Sequence, residues 1–457
     1  MNYQEFLESK SQKQHLKGFD YIWMPDFLFD FQKELVEWAL QKGTAAIFAD
    51  TGLGKTPMQL VWAENVVRKT NKRVLILTPL AVSHQTVSEG RKFDIKCVRS
   101  SDGNITDKIT VTNYERLHYF NPADFTGVVC DESSAIKAFD GKRRKQVTRF
   151  LSKIPYRLLC TATAAPNDFI ELGTASEALG EMNQSEMLAR FFHSSDKARH
   201  TLFKDGDFWN KNKWFFKAHA EISFWRWVCS WARAIKMPSD LGYDDNGFKL
   251  PELKVNQHVV KCDYKLPGEL FVIIAKTLRE QREERKATMM ERCEKVAELV
   301  AHNEPVVVWC QYNAEGDILE KMIPGAVQVA GRNSDQEKED RLLDFISGNI
   351  RALVTKPKIA AYGLNLQHCA HMIFFPSHSF EQYYQAVRRC YRYGQKKSVR
   401  IDIVTTEGEE GVTSNLQKKE QQSEIMFASL VREMNNVLKV DQINEHINNM
   451  EVPKWLS

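Results

Sequence analysis

Residues 49–56 read ADTGLGKT, and their setting decides the fold. Ala45-Ala46-Ile47-Phe48 in front of them is an apolar run with the length of a buried strand. Residues 57–68 behind them are rich in helix formers. A strand, then Gly-x-Gly-Lys-Thr, then a helix is the context of a phosphate-binding loop. Gly52 and Gly54 let the backbone turn tightly with its amides pointing inward. The helix start adds partial positive charge. Lys55 can reach the outer phosphates of a nucleotide, and the Thr56 hydroxyl can hold magnesium. Thr51, Gly52, Leu53, Gly54, Lys55 and Thr56 are therefore the candidate nucleotide-binding residues. Ala49 stands where the general pattern has its first glycine. The competing reading is a glycine turn before an ordinary helix. The attached Lys-Thr and the strand in front weigh against it.

The alternation of helix and strand continues on both sides. Residues 32–40, QKELVEWAL, predict a helix with Leu35, Trp38 and Ala39 on one face. The two-sided amide of Gln32 can read an adenine edge, although a surface role is the usual one for a glutamine. A second buried strand, RVLIL at 73–77, ends in Thr78-Pro79. Residues 108–112 lead into Asn113-Tyr114-Glu115. GVVC at 127–130 runs straight into Asp131-Glu132, and YRLLC at 156–160 ends in Thr161-Ala162-Thr163. Strands alternating with helices predict an α/β fold with a parallel sheet. The polar residues all fall at strand C-terminal ends, the edge where open α/β sheets bind ligands. There Asp131 can hold a magnesium-bound water beside the phosphates, and Glu132 can orient or deprotonate the attacking water. An Asp-Glu pair alone is noise. At the end of a Val-Val strand downstream of a phosphate loop it is a candidate catalytic pair.

With 457 residues the chain has room for roughly two to four domains. Its net charge is only +4, so any nucleic-acid surface must be local. Nine cysteines without a Cys-x-x-Cys pair argue against a zinc site and a disulfide framework, and predict buried free thiols. The polar start, MNYQEFLESKSQK, has no signal-peptide pattern, and no apolar run approaches membrane-spanning length. A cytoplasmic protein without a membrane partner is expected.

Residues 180–255 break the alternation. Trp209, Trp214, Trp225, Trp227 and Trp231 fall here, interleaved with Lys211, Lys213, Lys217, Arg226 and Arg233. Such a pattern can stack bases and contact phosphates. It can equally be a helical insertion with an aromatic core, and Phe224-Trp225 with Val228 reads as a buried helix face. Residues 238–251 read as a linker. Residues 271–300 predict one or two helices with Met289, Cys293, Val296 and Val300 as the packing stripe. A second alternating pattern follows. VVVWC at 306–310 ends in Gln311-Tyr312, and strands are predicted at 326–329, 352–355, 371–375 and 399–404. Between the last two sits EQYYQAVRRCYRYGQ at 381–395. On a helix, Gln385, Arg388 or Arg389, and Arg392 share one side. Arginines aimed at another domain's phosphate site would act as fingers that neutralise transition-state charge. Phe427, Leu430, Val431, Met434 and Leu438 predict a C-terminal amphipathic helix.

These motifs, taken in order, resemble the Swi/Snf-type ATPases of helicase superfamily two, in particular the compact stand-alone forms of phages and prophages. The resemblance covers most of residues 28–405, without the Trp-rich stretch. It implies two tandem RecA-like parallel-sheet domains with a helical Trp-rich insertion. The segments are a lead-in at 1–28, an ATP-binding domain at 29–180, the insertion and linker at 181–255, a second RecA-like domain at 256–405, and a C-terminal helix and tail at 406–457. Gln32 matches the adenine-reading glutamine. Thr78, Pro79 and the segment 112–115, with Thr112 and Asn113, match positions that touch a nucleic-acid backbone in the family. Asp131 and Glu132 match the magnesium and water-activating pair, Thr161 and Thr163 a coupling motif. In the second domain Gln311, Gly363 and Asn365 fall at nucleic-acid and coupling positions. Gln385, Arg389 and Arg392 match the arginine-finger helix, closed by Gly394-Gln395. The chain departs from the family at Ser134, Ala162, Ala164, Ala360 and Ala361, while Asn167 is kept.

The resemblance implies a nucleic-acid-stimulated ATPase using ATP and magnesium, monomeric, in a bacterial or phage-infected cell. Its expected partner is DNA, with double-stranded DNA favoured and RNA left open. It would translocate without separating strands. One rival is a strand-separating helicase, for which only the Trp-rich stretch offers a wedge. Another is a nucleotide-gated interaction protein. A small-molecule kinase has no need of the second α/β lobe.

Overall fold

The computed structural model describes residues 16–79, 82–136, 141–165, 168–194, 214–261, 278–360, 365–377 and 379–448. Gly363, Ala361, Asn167, Trp209, Lys211 and Lys213 lie outside the described residues. Two compact units are present, one of Met1–Asp245 with Ser423–Ser457 and one of Asn246–Gln422.

In the first unit, β1 (Thr44–Ala49), β2 (Arg73–Thr78), β3 (Cys97–Arg99), β4 (Ile109–Asn113), β5 (Phe125–Asp131) and β6 (Tyr156–Cys160) form one sheet. β7 (Phe192–Ser194) and β8 (Trp214–Phe216) make a small antiparallel pair, and β9 (Ala232–Ile235) returns to the main sheet. The strand order is β3-β4-β2-β5-β6-β1-β9, with every pairing parallel. β1, β4, β5 and β9 are buried along their whole length, as parallel strands covered on both faces must be. The order has one consequence for the site. β6 lies between β1 and β5, so residues 49–56, Thr161 and Asp131-Glu132 leave three adjacent strands at one edge. That insertion of a strand between the phosphate-loop strand and the acidic strand is a RecA-like arrangement.

The Trp-rich stretch feeds this sheet directly. After the helix Ala220–Cys229, β9 pairs with β1 through Ala46↔Ala232 and Ile47↔Arg233. Trp225, Trp227 and Trp231 are buried in the first unit's core, and Trp231 meets Phe48 edge-on at 6.1 Å. These rings therefore present no stacking surface. The lead-in at 16–28 is irregular and strapped down. Asn65 Oδ1 accepts from the amides of Ile22 and Trp23, and its Nδ2 donates to the Trp23 carbonyl at 2.8 Å. From the long helix Glu410–Asn448, the side chains of Met426, Phe427, Leu430 and Met434 join the first unit's core.

The second unit holds a six-stranded, all-parallel sheet of β10 (Leu253–Val260), β11 (Val306–Trp309), β12 (Ala326–Val329), β13 (Ala352–Thr355), β14 (His371–Phe374) and β15 (Val399–Thr406). Its order is β10-β15-β14-β11-β13-β12. β10 is a mostly exposed edge strand that pairs with β15 alone. Each unit is thus a RecA-like α/β domain, and the two stand in tandem. Among the described residues no helix is long and apolar enough to cross a membrane, and the cysteines are buried free thiols.

Candidate functional site

β1 ends at Ala49, and the turn that follows needs two glycines in the left-handed region, Gly52 at φ 91° and Gly54 at φ 76°. Gly54 also admits no side chain, since a Cβ there would sit 2.3 Å from Gln32 Nε2. The helix Lys55–Thr70 starts directly after it with no side-chain cap and no acidic residue in its first turn. Its first amides therefore point into the turn, an arrangement that favours an anion. Lys55 Nζ donates to the carbonyls of Ala49 at 2.9 Å and Asp50 at 3.3 Å. Burial lowers the Lys55 pKa, while Glu132, Asp50 and Asp131 act to raise it. A desolvated ammonium gains from an incoming phosphate. Thr51 is fixed by its amide donating to Asp50 Oδ1 at 2.6 Å.

Gln32 lies beside this loop with its amide already engaged at both ends. Its Nε2 donates to the Leu53 carbonyl at 2.8 Å and its Oε1 accepts from Phe29 N at 3.0 Å. The residue thus braces the turn from the neighbouring helix Asp30–Lys42.

β5 carries the acidic pair to the same edge. Asp131 Oδ1 accepts from Gln59 Nε2 at 2.7 Å, and the Asp131 carbonyl accepts from Tyr114 Oη at 2.7 Å. Glu132 leaves the strand at φ 49°, and its Oε2 accepts from Thr161 Oγ1 at 3.3 Å. Thr161 Oγ1 in turn accepts from the Thr163 amide at 3.0 Å. The positions that depart from the family pattern, Ser134, Ala162 and Ala164, are all buried. Gln59 has no role assigned from sequence, and Tyr114 only its place in the 112–115 segment. The available signal was a polar residue one helical turn after Lys55 on an otherwise apolar face.

Further along the edge, β2 and β4 bring Thr78 opposite Asn113. Thr78 Oγ1 donates to the Pro79 carbonyl at 3.1 Å, and Thr112 Oγ1 to the Ser100 carbonyl at 2.8 Å. Asn113 Oδ1 caps the following 3-10 turn by accepting from Arg116 N at 3.1 Å.

In the second unit, Gln385 and Arg389 lie on the helix Phe380–Cys390. Arg389 Nε donates to the Gln385 carbonyl at 3.1 Å and its Nη2 to Gln385 Oε1 at 2.9 Å. Arg392 is not on this helix, which stops at Cys390 because Tyr391 leaves helical geometry at φ −92° and ψ 83°. Arg388 covers the Tyr384 ring, with its guanidinium carbon 5.0 Å from the ring centre. Asn365 is exposed, and the amide of Leu366 beside it donates to the Arg389 carbonyl at 3.0 Å. Gln311 Nε2 donates to the Phe375 carbonyl at 3.0 Å.

The phosphate loop and acidic pair sit on one RecA-like unit, and a second such unit follows in the same chain. Residues 290–394 match the helicase conserved C-terminal domain family. The chain is 26% identical over 160 residues to the chromatin remodeling factor mit1 of Schizosaccharomyces pombe, covering 33% of this chain. It spans only 11% of that relative's length. Among solved structures it is similar to the Sulfolobus solfataricus SWI2/SNF2 ATPase core in complex with dsDNA, with a TM-score of 0.40 and 17% identity. That similarity covers 93% of this chain and 97% of the other. The matched segment lies within the second unit and is a helicase C-terminal domain, and the ordered motifs of the chain resemble those of Snf2-type, superfamily-two ATPases.

Proposed function

We propose that the protein hydrolyses ATP in response to nucleic acid and uses the cycle to move along double-stranded DNA. The observation that carries this reading is the convergence of Lys55, Thr161 and Asp131-Glu132 from three adjacent parallel strands. Lys55 and the loop amides bind the phosphates, and Gln32 holds the loop in shape for them. Thr56 and Asp131 would hold magnesium, which when bound offsets phosphate charge. Among the described residues there is no cluster of three or more His, Cys, Asp or Glu to cage a metal. A cation held largely by phosphates and water needs none. Glu132 orients the attacking water and takes its proton. Arg389 and Arg392 supply positive charge to the transition state when the two lobes close, a contribution of about 10³–10⁵ in rate for arginine fingers.

DNA enters the reading through the family. Of the matching positions, Pro79 on the first lobe and Gln311 and Asn365 on the second reach solvent and are the proposed backbone contacts, while Thr78, Thr112 and Asn113 are buried and would act by shaping the edge beneath them. Contacts of this type give little sequence preference and a strong salt dependence. The burial of Trp225, Trp227 and Trp231 removes them as a strand-splitting wedge, which favours tracking over unwinding. The test is Glu132→Gln. Nucleotide binding should persist while turnover is lost. Turnover above about a tenth of normal would reject the assignment of Glu132.

A further inference from the structure

Glu132 occupies a backbone state that its side chain does not favour. Four described non-glycine residues have positive φ, namely Asn71, Asp94, His219 and Glu132. Asn, Asp and His are the types that tolerate this region, and glutamate is not among them. Such a conformation persists only where its surroundings over-determine it. Three contacts fix it. The Ala135 amide donates to the Glu132 carbonyl at 2.9 Å, Thr161 Oγ1 donates to its carboxylate, and Tyr114 Oη donates to the carbonyl of Asp131.

The Tyr114 bond differs from the others in where it begins. Tyr114 follows Asn113, the last residue of β4, and opens the 3-10 turn Tyr114–Tyr119 that Asn113 caps. Its ring is buried, so its hydroxyl has no competing water. Burial also raises its pKa well above the ordinary tyrosine range, so the hydroxyl stays a donor at working pH. A phenol is rigid from Cβ to the oxygen. Any shift of the Thr112-Asn113 backbone therefore moves the group that holds the peptide preceding Glu132.

We infer that Tyr114 is a positioning residue that transmits the state of the Thr112-Asn113 segment to the Asp131-Glu132 turn. The inference rests on the function proposed above, and adds to it the path by which nucleic acid bound over the edge where β2 and β4 end reaches the water-orienting carboxylate within the first unit. Tyr114 touches no reacting atom. It acts through the Asp131 carbonyl.

The test is Tyr114→Phe in the full chain, which keeps the ring and removes one oxygen. Binding of a fluorescent ATP analogue and steady-state hydrolysis are measured with and without duplex DNA. The expected result is analogue affinity within about twofold of normal, with DNA-stimulated kcat lowered about tenfold. The ratio of stimulated to unstimulated rate should also fall, at least about threefold, because the link itself is cut. Unchanged kcat and ratio would overturn the inference. So would loss of nucleotide binding in step with rate, since that marks a purely structural role. Glu132→Gln in the same assay separates the two levels. If that chain keeps turning over, the function proposed above fails. If it is dead while Tyr114→Phe is normal, only the role of Tyr114 fails.

Discussion

Gln59 Nε2 lies 2.7 Å from Asp131 Oδ1, and this buried bond joins the helix that opens at Lys55 to the strand that ends in the acidic pair. Gln59 sits one helical turn beyond Lys55, so the phosphate loop and the carboxylate are held by a single rigid element. Replacing it with leucine fills the space and removes the donor. A hydrogen bond to a charged group is worth about 1.5–3 kcal/mol, so Gln59→Leu should raise the magnesium concentration for half-maximal hydrolysis about tenfold. A magnesium titration of ATPase rate reads this directly. An unchanged midpoint would show that Asp131 is held well enough without Gln59.

The phosphate loop is closely packed at Gly54. Gly54→Ala adds a Cβ where Gln32 Nε2 stands and forces alanine to φ 76°. Either the Gln32–Leu53 bond breaks or the loop opens. Nucleotide affinity should fall by more than about tenfold, with a stability cost of about 1–3 kcal/mol. Isothermal titration with an ATP analogue, beside a urea melt, measures both. Normal affinity would mean that the turn tolerates a side chain.

Arg392→Ala and Arg389→Ala should differ in one respect. Both should lower kcat by about 10³ with nucleotide affinity little changed, as expected for arginine fingers. Arg389, bonded twice to Gln385, should also lower the melting temperature. Single-turnover rates with parallel melts check the pair. A silent Arg392→Ala would remove it from the site.

A buried polar cluster in the second unit sets a pH dependence. Asp402 Oδ1 accepts from His258 at 2.9 Å and Asn256 at 2.9 Å, and Oδ2 from His371 at 2.7 Å and Arg400 at 2.6 Å. Burial pushes its pKa up, but the bonds from His258, Asn256, His371 and Arg400 outweigh this and hold it at about 2. His302, with its ring 2.8 Å from His371 and with Glu304, Arg351 and Arg400 nearby, and His371 itself both have pKa values lowered chiefly by burial. Lowered histidine values mean that the unfolded chain binds protons more readily, so this contribution is full above about pH 6.5 and shrinks as pH falls below it. The Asp402 contribution survives to lower pH and is lost between about pH 4 and pH 2. Urea midpoints for the second unit should therefore fall from pH 8 to pH 5.5. Asp402→Asn should cost about 3 kcal/mol at pH 8. A flat profile would mean that the histidines do not titrate with folding.

Much of this was legible in the sequence, and the exceptions have physical causes. Residues 49–56 and 131–132 were readable because strand, turn and helix each leave a distinct local pattern. β9 was not, since four residues containing Arg233 do not look buried. That arginine is accommodated by donating to the Cys229 carbonyl and lying 4.6 Å from the centre of the Trp38 ring. β10 was missed because an edge strand alternates weakly, and its Asn256 and His258 serve Asp402 on a strand far along the chain. The Trp-rich stretch gave two readings, since rings that stack on bases and rings that fill a core have the same composition. Burial decided between them for Trp225, Trp227 and Trp231. The bonds of Gln59 and Tyr114 to Asp131 were not legible, because that partner lies 72 and 17 positions away.

Under the proposed function, nucleic acid drives hydrolysis at Lys55, Asp131 and Glu132. One measurement addresses it most directly: the ATPase rate of the full chain with no nucleic acid, duplex DNA, single-stranded DNA and RNA in parallel, at two salt concentrations. Duplex DNA should stimulate most, roughly tenfold or more, and the stimulation should decline steeply as salt rises. A rate that is the same with and without every polymer would contradict it.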